Sequence, residues 1–131
     1  MIIEIPGKPQ PKQRPRLGYG GKAYTPEPTQ AFEKRVKHHA KMAGATPVSG
    51  PVHVDITSVF SMPKSLAKYR KAALDGQPHT NRPDLDNLVK SVLDGLNGVA
   101  FDDDAQVHSV SARKIWSADC GEGKTIVRIT H

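Results

Sequence analysis

The chain has 131 residues, with 19 Lys and Arg against 13 Asp and Glu, a net charge of +6 and a pI of about 9.6. Its single cysteine, Cys120, excludes an internal disulfide and any cysteine-based zinc site; no apolar run approaches the roughly 18 residues of a membrane span; and Met1 to Ile5 lacks the basic start of a signal peptide. The expectation is one soluble, intracellular (cytoplasmic) domain over residues 1–131, large enough to bury a core unaided and basic enough to attract a polyanion.

Ile2 to Ile5 reads as a short first strand, closed by Pro6-Gly7. The stretch KPQPKQRPRLGYGGKAYTP combines prolines and glycines with Lys8, Lys12, Arg14, Arg16 and Lys22, and reads as an irregular basic loop. A helix is predicted from Thr25 as N-cap, with Pro26 and Glu27 following, to about Ala43, ending at Gly44; Phe32, Val36, Ala40 and Ala43 recur at helical spacing. VHVDITSVF alternates, with Val52, Val54, Ile56, Ser58 and Phe60 on one face, and is a strand. Pro63 to Leu74 is basic and weakly helical, and Gly76 to Pro83 is a connector.

The best-defined helix follows Pro83. Leu85, Leu88, Val89, Val92, Leu93 and Leu96 form one apolar stripe, and Asn97-Gly98 ends it. QVHSVSARKIW and TIVRITH are strands joined by a turn through ADCGEGK. The order β, α, β, α, β, β implies an α/β (α+β) domain, a small mixed, mostly antiparallel sheet with two main helices packed on it.

Charge is distributed unevenly along this order. The window Asp84 to Asp104 holds Asp84, Asp86, Asp94, Asp102, Asp103 and Asp104 against one base, Lys90, while the other residues carry eighteen Lys and Arg against seven acids. An acidic spot in a basic protein suggests carboxylates that hold a divalent cation on a surface that attracts a polyanion. At 100° per residue Lys90 lies one turn beyond Asp86, on the same side. A helix extended backward would put Asp84 about 160° from Asp86, so the two share a metal only if Asp84 sits at or before the N-cap.

A third ligand has to return from the far end of the helix. Asp84 to Asn97 spans roughly 20 Å as helix, and Gly98 to Asp104 covers a similar length if extended. A strand running back beside the helix would deliver Asp104, with Asp103 on the other face and Asp102 a little short. Hard cations such as Mg²⁺ take oxygen ligands and keep waters, leaving room for phosphate oxygens and a nucleophilic water. Lys90 beside them would stabilise developing charge, or orient or deprotonate that water.

Each part has a bland alternative. D-x-D can simply charge the first turn of a helix, Asp102 to Asp104 can be a solvated turn, and Lys90 can be an i, i+4 partner of Asp86 and Asp94. The six histidines and Trp116 read as surface or packing residues, and Cys120 as a small buried hydrophobe.

The joint pattern is more specific. PDLDNLVKSVLDGLNGVAFDDDAQV resembles the signature of the RusA-type Holliday junction resolvases, P-D-x-D-N-L-x-K, then D-x-L-N-G, then D-D-x-Q-V. GKPQPKQRPR is similar to that family's basic loop, and MPKSLAKYRKAAL with QPHTNRPD to its run-in to the motif. The resemblance implies an endonuclease of bacterial or prophage setting that resolves four-way DNA junctions in recombination and repair, using Mg²⁺ or Mn²⁺ and working as a homodimer. It places the catalytic carboxylates and metal ligands on Asp84, Asp86 and Asp104 and the essential lysine on Lys90. The segment DDDAQV carries an extra Asp102, which leaves Asp103 beside Asp104 as third ligand; Asp94 matches a recurrent position and reads as structural. Lys12, Arg14, Arg16, Arg82 and the cluster Lys64, Lys68, Arg70 and Lys71 are the candidate phosphate contacts, Arg14 and Arg16 foremost. A nuclease for flaps or forks, and a non-catalytic basic DNA-binding protein, are the alternatives.

Overall fold

The computed structural model describes residues 1–131. Its main sheet is built from β1 (Ile2–Pro6), β4 (Val52–Ser61), β5 (Val107–Ser117) and β6 (Gly123–Thr130), in the order β1-β6-β4-β5. β6 pairs antiparallel with β1 and with β4, whereas β4 and β5 are parallel, so the sheet is mixed and mostly antiparallel. β5 and β6 run antiparallel on either side of β4, and residues 118–122 join them across its end. Parallel strands require a crossover, and residues 62–106 between β4 and β5 supply it, including α2 (Lys68–Leu74) and α3 (Leu85–Leu96).

Strand periodicity sets the layers. In β4, Val52, Val54 and Ile56 turn inward and are almost fully buried, while His53, Asp55 and Thr57 face the other side. Ile3 and Ile5 of β1 and Val127 and Ile129 of β6 extend the inner face. It is covered by α1 (Glu27–Met42), through Phe32, Val36 and Ala40, and by α3, through Val92 and Leu96; Phe101 plugs the end. These are the two main helices expected.

Several local expectations change. The first helix starts at Glu27 with Pro26, not Thr25, at its N-cap. Proline at this point costs no hydrogen bond, because the first turn's N–H groups have no helical partner. The basic loop contains a small hairpin, β2 (Arg16–Leu17) with β3 (Ala23–Tyr24), and only Lys68–Leu74 of the weak helical region is helical. Leu85, assigned to the apolar stripe, is 38% exposed, whereas the small Ser91 and Gly95 are buried. The helix therefore turns a narrower, smaller-residue face to its neighbours than a leucine count implies.

On the outer face Asp55 accepts hydrogen bonds from Ser111 and from Arg113, and the Ser111 bond, with the charges of Arg113 and Arg128, holds its carboxyl below the usual range. His79 is buried between Phe60 and Trp116, with ring centroids at 4.1 Å and 4.2 Å, and its Nδ1 has no partner. Burial first, and then the Lys114 charge, lowers its pKa below the ordinary 6.5. The folded state thus binds fewer protons at this site than the unfolded chain, so the stabilisation is full above pH 6.5 and is lost as pH falls through the lowered value. Urea midpoints should drop between about pH 7.5 and about pH 5 in the native chain, and this drop should shrink in His79→Phe.

Candidate active site

The site begins where a connector meets α3. Lys114 on β5 donates through Nζ to the carbonyls of Asn81 and Pro83, at 2.7 and 2.8 Å, tethering the approach to the helix. Sequence reasoning missed this role; a lysine in a strand carries no signal of which carbonyl it reaches. Asp84 then occupies the N-cap with extended backbone (φ −70, ψ 142), and its carboxylate makes no capping bond. Asp86 follows in the first turn. The condition that Asp84 lie outside the helix is met, and both carboxylates are exposed and free of ion pairs with protein cations.

Lys90 is exposed and also makes no ion pair, so the i, i+4 reading fails for it. Asp94 is bound instead by Lys12, whose Nζ lies 3.0 Å from Asp94 and 2.6 Å from Glu33 of α1. Asp94 is structural, as expected. Lys12 is a correction: its ammonium, expected on phosphate, is only 17% exposed and ties the basic loop to both helices. Burial alone would lower its pKa, but hydrogen bonds and charge from Glu33 and Asp94 outweigh that and hold it above 10.5. The backbone adds to the tie, with Lys12 N–H on the Asn87 carbonyl at 2.8 Å and Ser91 Oγ on the Gln10 carbonyl at 2.6 Å.

Replacing Lys12 by Met leaves two half-buried carboxylates facing each other without their cation. The expected cost is about 2 kcal/mol in urea unfolding, against near zero for Arg14→Ala at an exposed, unpaired position. Because the Lys12 pKa is raised, this stabilisation is full below pH 10.5 and is lost only as pH rises through the higher folded value.

Along this loop runs a chain of grooves that share walls. The largest, about 480 Å³, is lined by Lys8 to Lys12, Arg82, Pro83, Asp84 and Asn87, with no hydrophobic residue. Through Lys12 and Asn87 it joins a groove containing Arg14 and Lys90. Through Lys8, Arg82 and Pro83 it joins one bounded by Met62, Pro63, Trp116 and Glu122, and that one, through Ser61 and Met62, joins the groove of Lys64 and Lys71. The result is a polar trough bordered by Lys8, Arg14, Lys64, Arg82 and Lys90, with Asp84 in its wall. Arg16, Lys68 and Arg70 are exposed but line none of these four grooves.

Asp104 is not brought to this point. Gly98, at φ +78, donates to the Phe101 carbonyl at 2.8 Å, and the Leu96 carbonyl accepts from Val99 and Ala100, so the chain coils tightly after α3 instead of extending. A single 3₁₀ turn, Asp104–Gln106, follows, with Asp103 as its N-cap and Gln106 anchored on the carbonyls of Val48 and Gly50. β5 starts there and runs back toward Lys114, so Asp104 lies about one helix length, roughly 18 Å, from Asp84. Within one chain no group of three or more His, Cys, Asp or Glu is placed to share a metal ion. The extended return segment was the wrong assumption; burial of Phe101 holds the turn closed.

A divalent cation fits the donors that are present in part. Asp84, in the wall of the polar groove, and Asp86, in the first turn of α3, offer hard, uncommitted carboxylate oxygens of the kind that suits an ion retaining several waters. Comparison with known proteins agrees with the sequence pattern. The family model described as endodeoxyribonuclease RusA matches residues 6–130. A relative from Bacillus subtilis (strain 168), the uncharacterized protein YqaN, is 30% identical over 123 residues, covering 86% of this chain and 85% of its own.

Proposed function

The chain belongs to the RusA endodeoxyribonuclease family, and on that premise we propose that it is a divalent-metal-dependent, structure-selective nuclease that resolves four-way DNA junctions as a homodimer, in recombination and repair. The observation that carries the reading is the pair of exposed, unpaired carboxylates at the start of α3, Asp84 in the wall of a trough bordered by cations and Asp86 two residues on. Carboxylates without protein partners beside Arg82 and Lys90 are poor stability devices and good ion ligands.

In this reading Asp84 and Asp86 hold the ion, with Mg²⁺ the expected species and Mn²⁺ a substitute, while Asp104, about one helix length away within the same chain, could complete the set only from the partner copy of the homodimer. When bound, the ion supplies Lewis-acid charge to a phosphodiester and acidifies water. The protein's own groups do the rest. Arg14, Arg82 and Lys64 bind phosphates along the trough and set the backbone against the carboxylates; the salt dependence of binding should reflect each phosphate they neutralise. Lys90, one turn from Asp86 and uncommitted to any carboxylate, carries positive charge to the reacting phosphate. The tie from Lys12 to Glu33 and Asp94 keeps the loop that bears Arg14 in place.

No helix is long and apolar enough to cross a membrane. The test sets an immobile four-way junction against linear duplex of the same sequence, with Mg²⁺ or with EDTA. Paired, symmetric nicks at the junction that need the metal support the reading. Equal cutting of linear duplex would remove junction selectivity, and preference for flaps or forks would redirect it to other branched DNA. Binding with no cutting under any divalent ion would leave a non-catalytic DNA-binding protein.

A further inference from the structure

One stretch of the trough is unlike the rest. The groove that joins the Asp84 groove through Lys8, Arg82 and Pro83 has a volume of about 400 Å³, and part of its wall is aromatic, formed by Phe60, His79 and Trp116. That volume lies within the range of about 300 to 1,000 Å³ usual for small-ligand sites. Phe60 and Trp116 are register partners on neighbouring strands, β4 and β5, and His79 packs against both rings.

The aromatic wall is fixed by the backbone around it. Gly76 N–H bonds to the Trp116 carbonyl at 2.8 Å, Trp116 N–H to the Gln77 carbonyl at 3.0 Å, and His79 N–H to the Lys114 carbonyl at 3.0 Å, so the connector lies along the end of β5. Lys114 in turn holds the carbonyls of Asn81 and Pro83, which line the same groove. Phe60 and His79 are 5% and 6% exposed and form the backing, whereas Trp116 is only half-buried and lines the groove beside them. His79 Nδ1 has no partner, a cost that an apolar side chain filling the same place would avoid.

Charge divides the groove. Lys8 and Arg82 belong to the part shared with the Asp84 groove; Glu122, which makes no ion pair, lines the aromatic groove and not its neighbour. A phosphate is drawn to the shared part, while Glu122 and the aromatic rings favour a flat, uncharged group. A nucleotide joins these two parts through its sugar. Arg82, Pro83 and Asp84 are consecutive, so a phosphate on Arg82 lies next to the first carboxylate. Continuous duplex hides its base faces in the stack, whereas a single strand or an opened branch point offers one, and stacking on an aromatic side chain accepts any of the four bases.

We propose that the groove of Phe60, His79 and Trp116 receives one unstacked nucleobase of the bound DNA, whose phosphate lies on Lys8 and Arg82. The placing of that base at a branch point rests on the nuclease reading above; the pocket's chemistry suits an unstacked base in any single strand. Such a pocket separates a branch point from linear duplex, which phosphate contacts alone do not.

Trp116 is the only tryptophan in the chain, so its emission reports this site alone. In EDTA, where metal-dependent cutting is off, a short oligothymidylate and an immobile four-way junction should each quench that emission at saturation, and linear duplex should not. Replacing one base beside the branch point by an abasic nucleotide should weaken junction binding about tenfold and remove the quench. Trp116→Leu, with folding checked by circular dichroism, should lose the same factor on the intact junction and nothing further on the abasic one, whereas Lys8→Ala should lose equally on both. The abasic series uses the native chain, so it decides the question even if Trp116→Leu fails to fold. Junction binding without quenching, or affinity indifferent to abasic replacement at every position flanking the branch point, overturns the pocket, even in a protein that cuts junctions. An equal loss for Trp116→Leu on both junctions makes Trp116 a packing residue and overturns it too. Quenching and abasic sensitivity in a protein that cuts no DNA keep the pocket and remove the nuclease reading; failure to bind either DNA removes both.

Discussion

Asp86→Asn should lower metal-dependent junction cleavage by about three orders of magnitude while leaving the fold and DNA binding intact. The asparagine keeps the shape of the side chain and removes one charge and the better of the two metal donors. Nothing else in the structure leans on that carboxylate: Asp86 makes no side-chain hydrogen bond and no ion pair, so its contribution to stability is limited to its favourable place in the first turn, below about 1 kcal/mol. Affinity for the junction in EDTA should stay level or rise, because a negative charge beside the phosphate trough is gone. Single-turnover cleavage with gel-shift titration separates the two effects. A variant that cuts at the native rate would mean that the start of α3 is not the metal site, whatever the rest of the trough binds.

The contrast expected at Asp86, dispensable for folding and required for chemistry, was legible in the sequence only because α3 is. Its bounds, Leu85 to Leu96, follow from Pro83 before it, an unbroken apolar period and Asn97-Gly98 after it, all local signals. The position of Asp84 as N-cap follows for the same reason. The strands were legible too, since alternation in β4 reports which residues face the helices. What was hidden depends on distant partners. Lys12 looks like any loop cation, and only the fold sets it between Glu33 and Asp94. The parallel pairing of β4 with β5 follows from a crossover that no spacing announces. Asp104 was misplaced because the length of a segment bounds its reach but does not decide whether it extends; burial of Phe101 and a left-handed Gly98 make it a turn.

The close approach of α1 to α3 leads to the largest expected effect on stability. Gly95 lies in α3, where glycine costs about 1 kcal/mol relative to alanine, so substitution by Ala would ordinarily strengthen the helix. Here a Cβ on Gly95 would meet Val36 Cβ at 2.7 Å and Cγ1 at 2.8 Å, with the Glu33 carbonyl at 3.3 Å. Val36 is wholly buried in the centre of α1 and has no space into which to retreat, so the helices must separate. Separation would also loosen Lys12, whose two partners sit on the two helices, and with it the basic loop on the trough wall. Steric loss should therefore exceed the propensity gain, giving a net cost of about 2 kcal/mol for Gly95→Ala and more than about 3 kcal/mol for Gly95→Val, whose methyls have no cavity to enter. Thermal melts should fall by roughly 5 to 10 °C for the alanine variant. An alanine variant as stable as the native chain would show that the helices yield at little cost, and the tie through Lys12 would then have to hold across a wider gap.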